Sequence, residues 1–303
     1  MANADSMSCQ TGGKSAIEVV LIASCLLRTN NFHVDSMMVL NIAHRGARSL
    51  APENTLLAAR RGLEAGADLW ETDLAVTRDE PLVLLHDDLL GRTTDVAQRY
   101  PERAYDPFTT FSLAEIRTLD AGSWFLESDP HGQIAAGAVS ETDQKACRGV
   151  QVPTLEEAFV FTRDAGWKLN LELKALPAPM DRFPVVPRML EMVDRVGLGP
   201  DQILISSFNH TWLEEVQSRR PALETQALIG YYSDRPLDWG PLTFHTYNVR
   251  HTLIRDQDIV ARKQQGLTIN LFTVNDAMDM RRFMALGVDG LITDFPQRLA
   301  LLR

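Results

Sequence analysis

Residues that can bind a metal ion, bind phosphate or transfer protons occur at the ends of a few short apolar runs in this sequence. They fall in or directly after the segments VLNIAHRG, LWETDLAV, PLVLLHD and KLNLELK. The residues are His44, Arg45, Glu71, Asp73, His86, Glu172 and Lys174. Two acids one residue apart, followed after a short polar turn by a histidine, form the densest part of this pattern.

The residue types predict a specific chemistry. Glu71, Asp73 and Glu172 offer only oxygen ligands, which suits Mg²⁺ or Ca²⁺ better than zinc. An arginine and a lysine bind phosphate oxygens. Two histidines can accept and donate protons near neutral pH. Together these groups predict metal-assisted cleavage of a phosphodiester, in which one histidine deprotonates a nucleophile and the other protonates the leaving alkoxide.

The runs that carry these residues read as β-strands. Nine runs alternate with helical patterns from residue 39 onward, which is typical of βα units around a parallel sheet. TRDE, between the second and third runs, is too short for a parallel crossover, so those two runs must form an antiparallel hairpin. Removing PLVLLHD from the count leaves eight strands, and we predict an α/β fold, a (β/α)8 TIM-type barrel with its site at the carboxyl ends of the strands.

Strand geometry places the candidate residues relative to one another. Alternate residues of a strand share a face, so Glu71 lies with Asp73 and Glu172 with Lys174. A hairpin turn centred near Asp79 sets His86 opposite Thr72, laterally next to both acids of that strand. A shift of this register by one residue would turn His86 to the other face.

Capping signals mark the helices. NTLLAARRGLEAG begins with Asn54 as a possible N-cap, and NDAMDMRRFMALG repeats this start and the glycine stop. TLEEAFVFTRDAG has the capping-box pair Thr154 and Glu157. The stretch 90–152 reads as a loop-rich insertion with one helix, LAEIRTL. The predicted organisation is one catalytic barrel domain at 39–303 that contains this insertion.

Composition limits the function classes. The chain has 303 residues and a formal net charge of −10, which argues against a broad basic surface for nucleic acid or anionic lipid. The three cysteines, Cys9, Cys25 and Cys147, have no metal-ligand spacing, and a reducing compartment is the default expectation. We expect a cytoplasmic protein with a small-molecule substrate, no nucleic-acid partner and no stable membrane insertion.

Residues 1–38 read as an irregular N-terminal extension or a leader. AIEVVLIASCLL, residues 16–27, is too short and too polar to span a membrane. IASC resembles a lipoprotein cleavage box ending at Cys25, so export or lipid anchoring is the alternative if residues 1–25 act as a leader. Asp5 and Glu18 are unfavourable for a leader, and Met37 or Met38 is an alternative start directly before the first confident strand.

The same segments, taken in order, carry a family resemblance. AHRGARSLAPENTLLAARRGLEAGAD, ETDLAVTRDEPLVLLHDDLLGRTTD, LDAGSWF, PTLEEAF, LNLELK, SSFNH and TVNDAMDMRRFMALGVDGLITDFP together resemble the glycerophosphodiester phosphodiesterase family, most closely its cytosolic bacterial type. The resemblance runs from about Leu40 to Leu299. It implies a (β/α)8 barrel of the phospholipase C-like phosphodiesterase kind with a segment inserted after the HD motif.

The resemblance also implies roles. The acid-base pair would be His44 and His86, the metal ligands Glu71, Asp73 and Glu172, and the phosphate-binding residues Arg45 and Lys174. Phe208 and Phe272 would border the substrate, although the family often has tryptophan or tyrosine at the second position. The implied reaction is metal-dependent hydrolysis of glycerophosphocholine or glycerophosphoethanolamine to sn-glycerol 3-phosphate and an alcohol, with the glycerol 2-hydroxyl as a possible first nucleophile.

Structural interpretations stand beside the functional ones. Isolated histidines are usually hydrogen-bonded structural residues, and we apply this to His33, His131, His210, His245 and His251. Lys174 can instead be a simple ion-pair partner of Glu172. Asp120, Trp124 and Phe125 of LDAGSWF are expected to fix the insertion, and Asp294 to cap the last helix.

Two alternative functions remain open. A phospholipase D-like hydrolase of lysophospholipids or sphingolipids would need an apolar groove near the mouth, and the polar segment DPHGQIAAGAVSETDQK of the insertion argues against one. A barrel that binds glycerophosphodiesters without turnover would not need a pair of proton-transferring histidines.

Overall fold

The computed structural model of the chain describes residues 38–303. The expectations about a leader and about Cys9, Cys25 and His33 lie outside the described residues. Of the two alternative start residues, Met38 is described and Met37 is not. No helix in residues 38–303 is long and apolar enough to cross a membrane.

The strands form one nine-stranded sheet that closes on itself. Its order is β1-β9-β8-β7-β6-β5-β4-β2-β3, and an additional parallel pairing of β1 with β2 completes a barrel of eight parallel strands. This confirms the predicted (β/α)8 fold. The strands are β1 (Leu40–Ala43), β2 (Leu69–Val76), β3 (Leu82–Leu84), β4 (Leu169–Leu173), β5 (Ile203–Ser207), β6 (Glu224–Ile229), β7 (Thr246–Arg250), β8 (Thr268–Phe272) and β9 (Gly290–Thr293).

The ninth strand is the return strand of the predicted hairpin. β3 pairs antiparallel with β2 in the register Leu74 to Leu84 and Val76 to Leu82. The backbone N–H of Leu85 donates to the Asp73 carbonyl at 3.2 Å, so the same register continues one step past the strand. The predicted hairpin is confirmed as far as Leu85; His86 is the next residue, beyond the end of β3, and its pairing with Thr72 stays a prediction.

Helices α1 and α7 to α10 follow barrel strands, α6 follows the insertion, and the short helix α11 follows β9. They are α1 (Leu56–Glu64), α6 (Leu155–Asp164), α7 (Val185–Val196), α8 (His210–Arg219), α9 (Asp256–Gln264), α10 (Ala277–Ala285) and α11 (Pro296–Ala300). The capping box of α6, formed by Thr154 and Glu157, is confirmed.

Two predicted caps are wrong by one residue. α1 is capped by the Thr55 side chain and not by Asn54. α10 is capped by Asp276 and not by Asn275. In both cases the asparagine side chain is hydrogen-bonded instead to residues far away in sequence.

The insertion contains more helix than the sequence predicted. LAEIRTL yields α3 (Leu113–Ile116), but α2 (Val96–Arg99), α4 (Ser123–Ser128), α5 (Glu141–Cys147) and two 3₁₀ turns, Pro101–Arg103 and Phe108–Thr110, are also present. These helices are so short that their apolar periodicity is hard to recognise. As expected, Asp120 fixes the insertion: it accepts the backbone N–H groups of Gly122, Ser123 and Gly149.

Two apolar clusters show which way the strand residues point. Trp70 lies in the large cluster between strands and helices, whereas its neighbour Leu69 lies in a small cluster with Ile42, Leu204 and Ile292. Because strand residues alternate between faces, Glu71 and Asp73 share the face of Leu69, which is the interior of the barrel.

We expect Trp70→Ala to destabilise the barrel by about 3–5 kcal/mol. The indole is fully buried, stacks on Trp167 at 6.3 Å between ring centroids, and donates from Nε1 to Thr162 Oγ1 at 3.0 Å. Urea unfolding measures the loss, with the partly buried Trp239 as the control for an alanine substitution. A loss below about 1 kcal/mol would contradict this account of the core.

Candidate functional site

Three carboxylates meet inside the barrel at the carboxyl ends of β2 and β4. The parallel register sets Asp73 beside Glu172, and Glu71 lies two residues earlier on the same face of β2. One oxygen from each of the three lies within 4.8 Å of the others. The predicted acidic cluster is therefore present as one group.

The electrostatics of this cluster fit a cation. Burial and the neighbouring carboxylates raise the pKa of Glu71 well above its usual range, and they raise that of Glu172 to about 8. Burial also acts to raise the pKa of Asp73, but Lys174 and Arg45 outweigh it and lower that pKa to about 2. Glu71 Oε1 is buried without a hydrogen-bond partner. An all-oxygen set with an unpartnered oxygen and mutual repulsion is what a bound Mg²⁺ or Ca²⁺ would satisfy.

Asn54 holds one of these acids in place, a role that sequence reasoning missed. Its Nδ2 donates to Asp73 Oδ2 at 2.9 Å, and its Oδ1 accepts from Thr72 Oγ1 at 2.7 Å. The residue has φ of 56°, a left-handed conformation that asparagine tolerates better than most residues. Its place just before a helix predicts a cap, and only the folded barrel brings it to Asp73.

His44 is fixed by a carboxylate from the far end of the chain. Its Nδ1 lies 2.6 Å from Asp294 Oδ1, and Asn275 Nδ2 donates to the other oxygen of Asp294 at 2.7 Å. The expectation that Asp294 caps the last helix is wrong. The N-cap residue of α11 is Phe295, and its side chain makes no capping hydrogen bond. Burial, together with the charge of Arg45, lowers the pKa of His44 to about 4.

His86 is fixed in the same way by its neighbour. Its Nδ1 lies 2.7 Å from Asp87 Oδ1, and its backbone carbonyl accepts from Lys174 Nζ at 2.9 Å. In both histidines the carboxylate engages Nδ1, which leaves Nε2 available for a substrate proton. His44 Nε2 lies 4.0 Å from Glu71 Oε2.

Arg45 and Lys174 lie beside the acids. The Arg45 backbone N–H donates to Glu71 Oε2 at 2.8 Å, its Nε is 3.3 Å from Asp73 Oδ2, and its NH1 donates to Glu53 at 2.7 Å. Lys174 Nζ is 3.6 Å from Asp73 Oδ1. The ion-pair partner of Lys174 is therefore Asp73 and not Glu172, the partner named in the structural interpretation.

Aromatic rings border the cavity that these residues line. Phe208 and Phe272 meet edge to face at 6.0 Å, and Tyr231, which sequence reasoning missed, packs on Phe208 at 5.1 Å. The cavity has a volume of about 520 Å³ and is lined by both histidines, Glu71, Glu172, Arg45 and Lys174. It adjoins a larger one of about 1120 Å³, and the two share His86, Glu172, Lys174, Phe208 and Tyr231.

Three other described histidines, His210, His245 and His251, have the hydrogen-bond contacts that were expected, but His131 does not, because its Nε2 is buried without a partner. His210 Nε2 lies 3.0 Å from the Leu228 carbonyl, and His251 Nδ1 lies 3.1 Å from that of Phe272. His245 contacts Thr268, and His131 packs edge-on against Phe295.

Known proteins resemble this chain over most of its length. The model of the glycerophosphoryl diester phosphodiesterase family matches residues 44–298. A glycerophosphodiester phosphodiesterase of Caldanaerobacter subterraneus subsp. tengcongensis is 31% identical over 265 residues, which cover 87% of this chain and 97% of that protein. A glycerophosphoinositol inositolphosphodiesterase of Mus musculus is 31% identical over 268 residues, which cover 85% of this chain but only 46% of the mouse protein.

Solved structures of phosphodiesterases also resemble this chain over most of its length. An Oleispira antarctica phosphodiesterase, determined in complex with the product sn-glycerol-3-phosphate, superposes with a TM-score of 0.70 at 25% identity, covering 89% of this chain and 98% of that one. The crystal structure of a putative glycerophosphoryl diester phosphodiesterase from Silicibacter pomeroyi gives a TM-score of 0.70 at 26% identity, covering 88% of this chain and 94% of that one.

Proposed function

Because the chain belongs to the glycerophosphoryl diester phosphodiesterase family, we propose that it hydrolyses glycerophosphodiesters such as glycerophosphocholine and glycerophosphoethanolamine. The products are sn-glycerol 3-phosphate and the head-group alcohol. The observation that carries the proposal is that His44, His86 and two acids of the cluster, Glu71 and Glu172, line one cavity, with each histidine held at Nδ1 by a carboxylate.

The two histidines supply the proton transfers of the reaction. Hydrolysis forms a bond from phosphorus to a nucleophilic oxygen and breaks the bond to the head-group oxygen. One proton leaves the nucleophile and one reaches the leaving alkoxide, and two imidazoles with free Nε2 atoms can make both transfers. The carboxylates Asp294 and Asp87 fix each ring's tautomer and orientation.

Charged groups stabilise the phosphate. Glu71, Asp73 and Glu172 would hold a divalent cation, Mg²⁺ or Ca²⁺, which when bound neutralises charge on phosphoryl oxygens. Lys174 supplies a positive charge at the rim of the same cavity. Arg45 is held between Asp73 and Glu53 while it also lines this cavity, so its guanidinium is already oriented when a phosphate enters.

Product identification tests this proposal. The purified full chain with added Mg²⁺ or Ca²⁺ is incubated with glycerophosphocholine, and sn-glycerol 3-phosphate and free choline are measured. Equal release of the two products is expected. Release of phosphocholine and glycerol instead would show cleavage of the other ester bond and overturn the proposal.

We expect Asp294→Asn to lower kcat by about 10–100-fold. The carboxylate accepts from His44 on one side and from Asn275 on the other, so an amide would set its NH₂ group against one of these donors. Steady-state kinetics on glycerophosphocholine measure the loss. Asp276→Asn is the control, since asparagine also caps a helix at that position; equal kcat values for the two variants would contradict the role of Asp294.

A lysophospholipid is the second candidate substrate, and the larger cavity is the observation that favours it. Besides the residues shared with the smaller cavity, its lining includes the apolar residues Leu89, Tyr105, Leu176 and Pro177, together with the charged residues Asp87, Asp88 and Arg92. Leu89 directly precedes the insertion and Tyr105 lies near its start, so neither comes from its polar segment. We expect lysophosphatidylcholine turnover below that of glycerophosphocholine; a higher kcat/KM for the lysolipid would reverse the order of the two candidates.

We also propose a cytoplasmic location, which rests on composition alone. Cell fractionation of the native producer tests it, and recovery of the chain in a membrane or exported fraction would favour the leader interpretation.

The third candidate is a barrel that binds glycerophosphodiesters without turnover. Complete inactivity of the cation-loaded chain on every diester would support it.

A further inference from the structure

Glu53 is a buried carboxylate that three arginines share. It lies in the connection between β1 and α1, and its side chain is 2% exposed. Its Oε1 accepts from Arg45 NH1 at 2.7 Å and from Arg92 NH2 at 2.6 Å. Its Oε2 accepts from Arg92 NH1 at 2.9 Å and lies 2.7 Å from Arg48 NH2. The phosphodiester chemistry described above gives Glu53 only its contact with Arg45 and assigns no role to Arg48 or Arg92.

One of these arginines leads to His86. Arg92 belongs to the insertion, and its Nε donates to Asp87 Oδ2 at 2.5 Å. The other oxygen of Asp87 holds His86 Nδ1. His86 is therefore connected through Asp87 and Arg92 to the buried Glu53.

A second arginine leads to His44. Arg48 Nε lies 3.7 Å from Asp294 Oδ1, an ion-pair distance, and the same Asp294 oxygen holds His44 Nδ1 at 2.6 Å. These two series of contacts, the Arg92 arm to His86 and the Arg48 arm to His44, meet at Glu53. They form a continuous series of charged contacts from one histidine to the other around the cavity: His44, Asp294, Arg48, Glu53, Arg92, Asp87 and His86.

We infer that Glu53 is a positioning residue that couples the orientations of the two histidines and fastens the insertion against the barrel at the active site. The inference rests on the proposed function, because it assigns the residue through the histidines' role.

The hydrogen-bonding pattern explains why a carboxylate is required. Both Glu53 oxygens accept from guanidinium groups, so a glutamine would direct its NH₂ group at donors on one side. Burial alone would raise the pKa of Glu53, but the hydrogen bonds from Arg92 and the charges of Arg45 and Arg48 hold it far below its usual range. Without this charge, three guanidinium groups would face one another at the cavity wall.

Steady-state kinetics on glycerophosphocholine test the inference with Glu53→Gln, Arg92→Gln and the double variant. Glu53→Gln is expected to lower kcat by about 10–100-fold, the range for residues that orient catalytic groups. KM should change less than kcat, because the histidines act on protons in the transition state. The kcat of the double variant should be no lower than that of Glu53→Gln, since both substitutions break the Arg92 arm to His86.

Arg117→Gln is the matched control. Arg117 also joins the insertion to a helix of the barrel, through its ion pair with Glu157 of α6, but this ion pair does not lead to either catalytic histidine. A melting temperature that falls in both variants, with kcat falling only in Glu53→Gln, supports positioning. A kcat for Glu53→Gln within about twofold of that for Arg117→Gln, or losses that multiply in the double variant, would overturn it.

A second readout does not depend on turnover. NMR of the imidazole nitrogens is expected to show shifted His86 and His44 signals in Glu53→Gln and a shifted His86 signal in Arg92→Gln, with His245 unchanged. If the native chain cleaves no glycerophosphodiester, the proposed function fails while these signals still test the coupling. If Glu53→Gln does not fold, native kcat and a native His86 signal in Arg92→Gln overturn the inference.

Discussion

Alanine at His86 is expected to lower kcat on glycerophosphocholine by about 10²–10⁴-fold, the usual contribution of one positioned proton-transfer group. The side chain is 33% exposed and is held by Asp87, so its removal leaves no sealed cavity in the core. The melting temperature should therefore stay close to that of the native chain. His44→Ala should cause a loss in the same range but with a lower melting temperature, because this ring is only 15% exposed.

His245→Ala is the control, since His245 is exposed and contacts Thr268 at the other end of β8. A glycerophosphodiester of p-nitrophenol separates the two histidines' roles, because this leaving group needs little protonation. The variant that lacks the acid should recover much of its rate on that ester, and the variant that lacks the base should not. Native rates for both alanine variants on glycerophosphocholine would remove the histidines from the mechanism.

Removal of the divalent cation is expected to abolish turnover, and Glu172→Gln is expected to weaken cation binding. Three carboxylates that repel one another, two of them buried and one half-buried, gain from a cation, so Mg²⁺ or Ca²⁺ should raise the melting temperature of the native chain. At a cation concentration 100 times Kd, the stabilisation is about 2.7 kcal/mol. Thermal unfolding with and without EDTA measures this without any substrate.

Glu191→Gln, at an exposed glutamate of α7, is the matched control for the charge change. It should keep the native response to the cation, whereas Glu172→Gln should need a much higher cation concentration for the same increase. An unchanged melting temperature of the native chain across cation concentrations would contradict a metal site at Glu71, Asp73 and Glu172.

The sequence predicts the barrel and the acidic cluster well because their signals are local. Strand alternation alone puts Glu71 and Asp73 on one face, and the short TRDE turn leaves the hairpin register little freedom. That register determines where His86 returns. Once the barrel is assumed, Glu172 follows as the neighbour of Asp73 on the next parallel strand.

The residues that orient this cluster could not be found in the same way. Asn54 and Asp294 each stand near a helix start, where capping is the best local interpretation, yet their side chains bind Asp73 and His44 on neighbouring strands of the barrel. His44 and Asp294 are 250 residues apart in the chain. The role of Glu53 could not be found either, because Arg92 joins Arg45 and Arg48 at this carboxylate only when the insertion folds onto the barrel. Tertiary contacts override the local pattern at these positions.

The most direct measurement of the central claim is the initial rate of sn-glycerol 3-phosphate release from glycerophosphocholine by the native chain, His44→Ala and His86→Ala, each with cation and with EDTA. The account predicts turnover by the native chain with cation, loss with EDTA, recovery when cation is restored, and a rate lower by about 10²-fold or more in each histidine variant with cation. Turnover that survives both chelation and the histidine substitutions would contradict it.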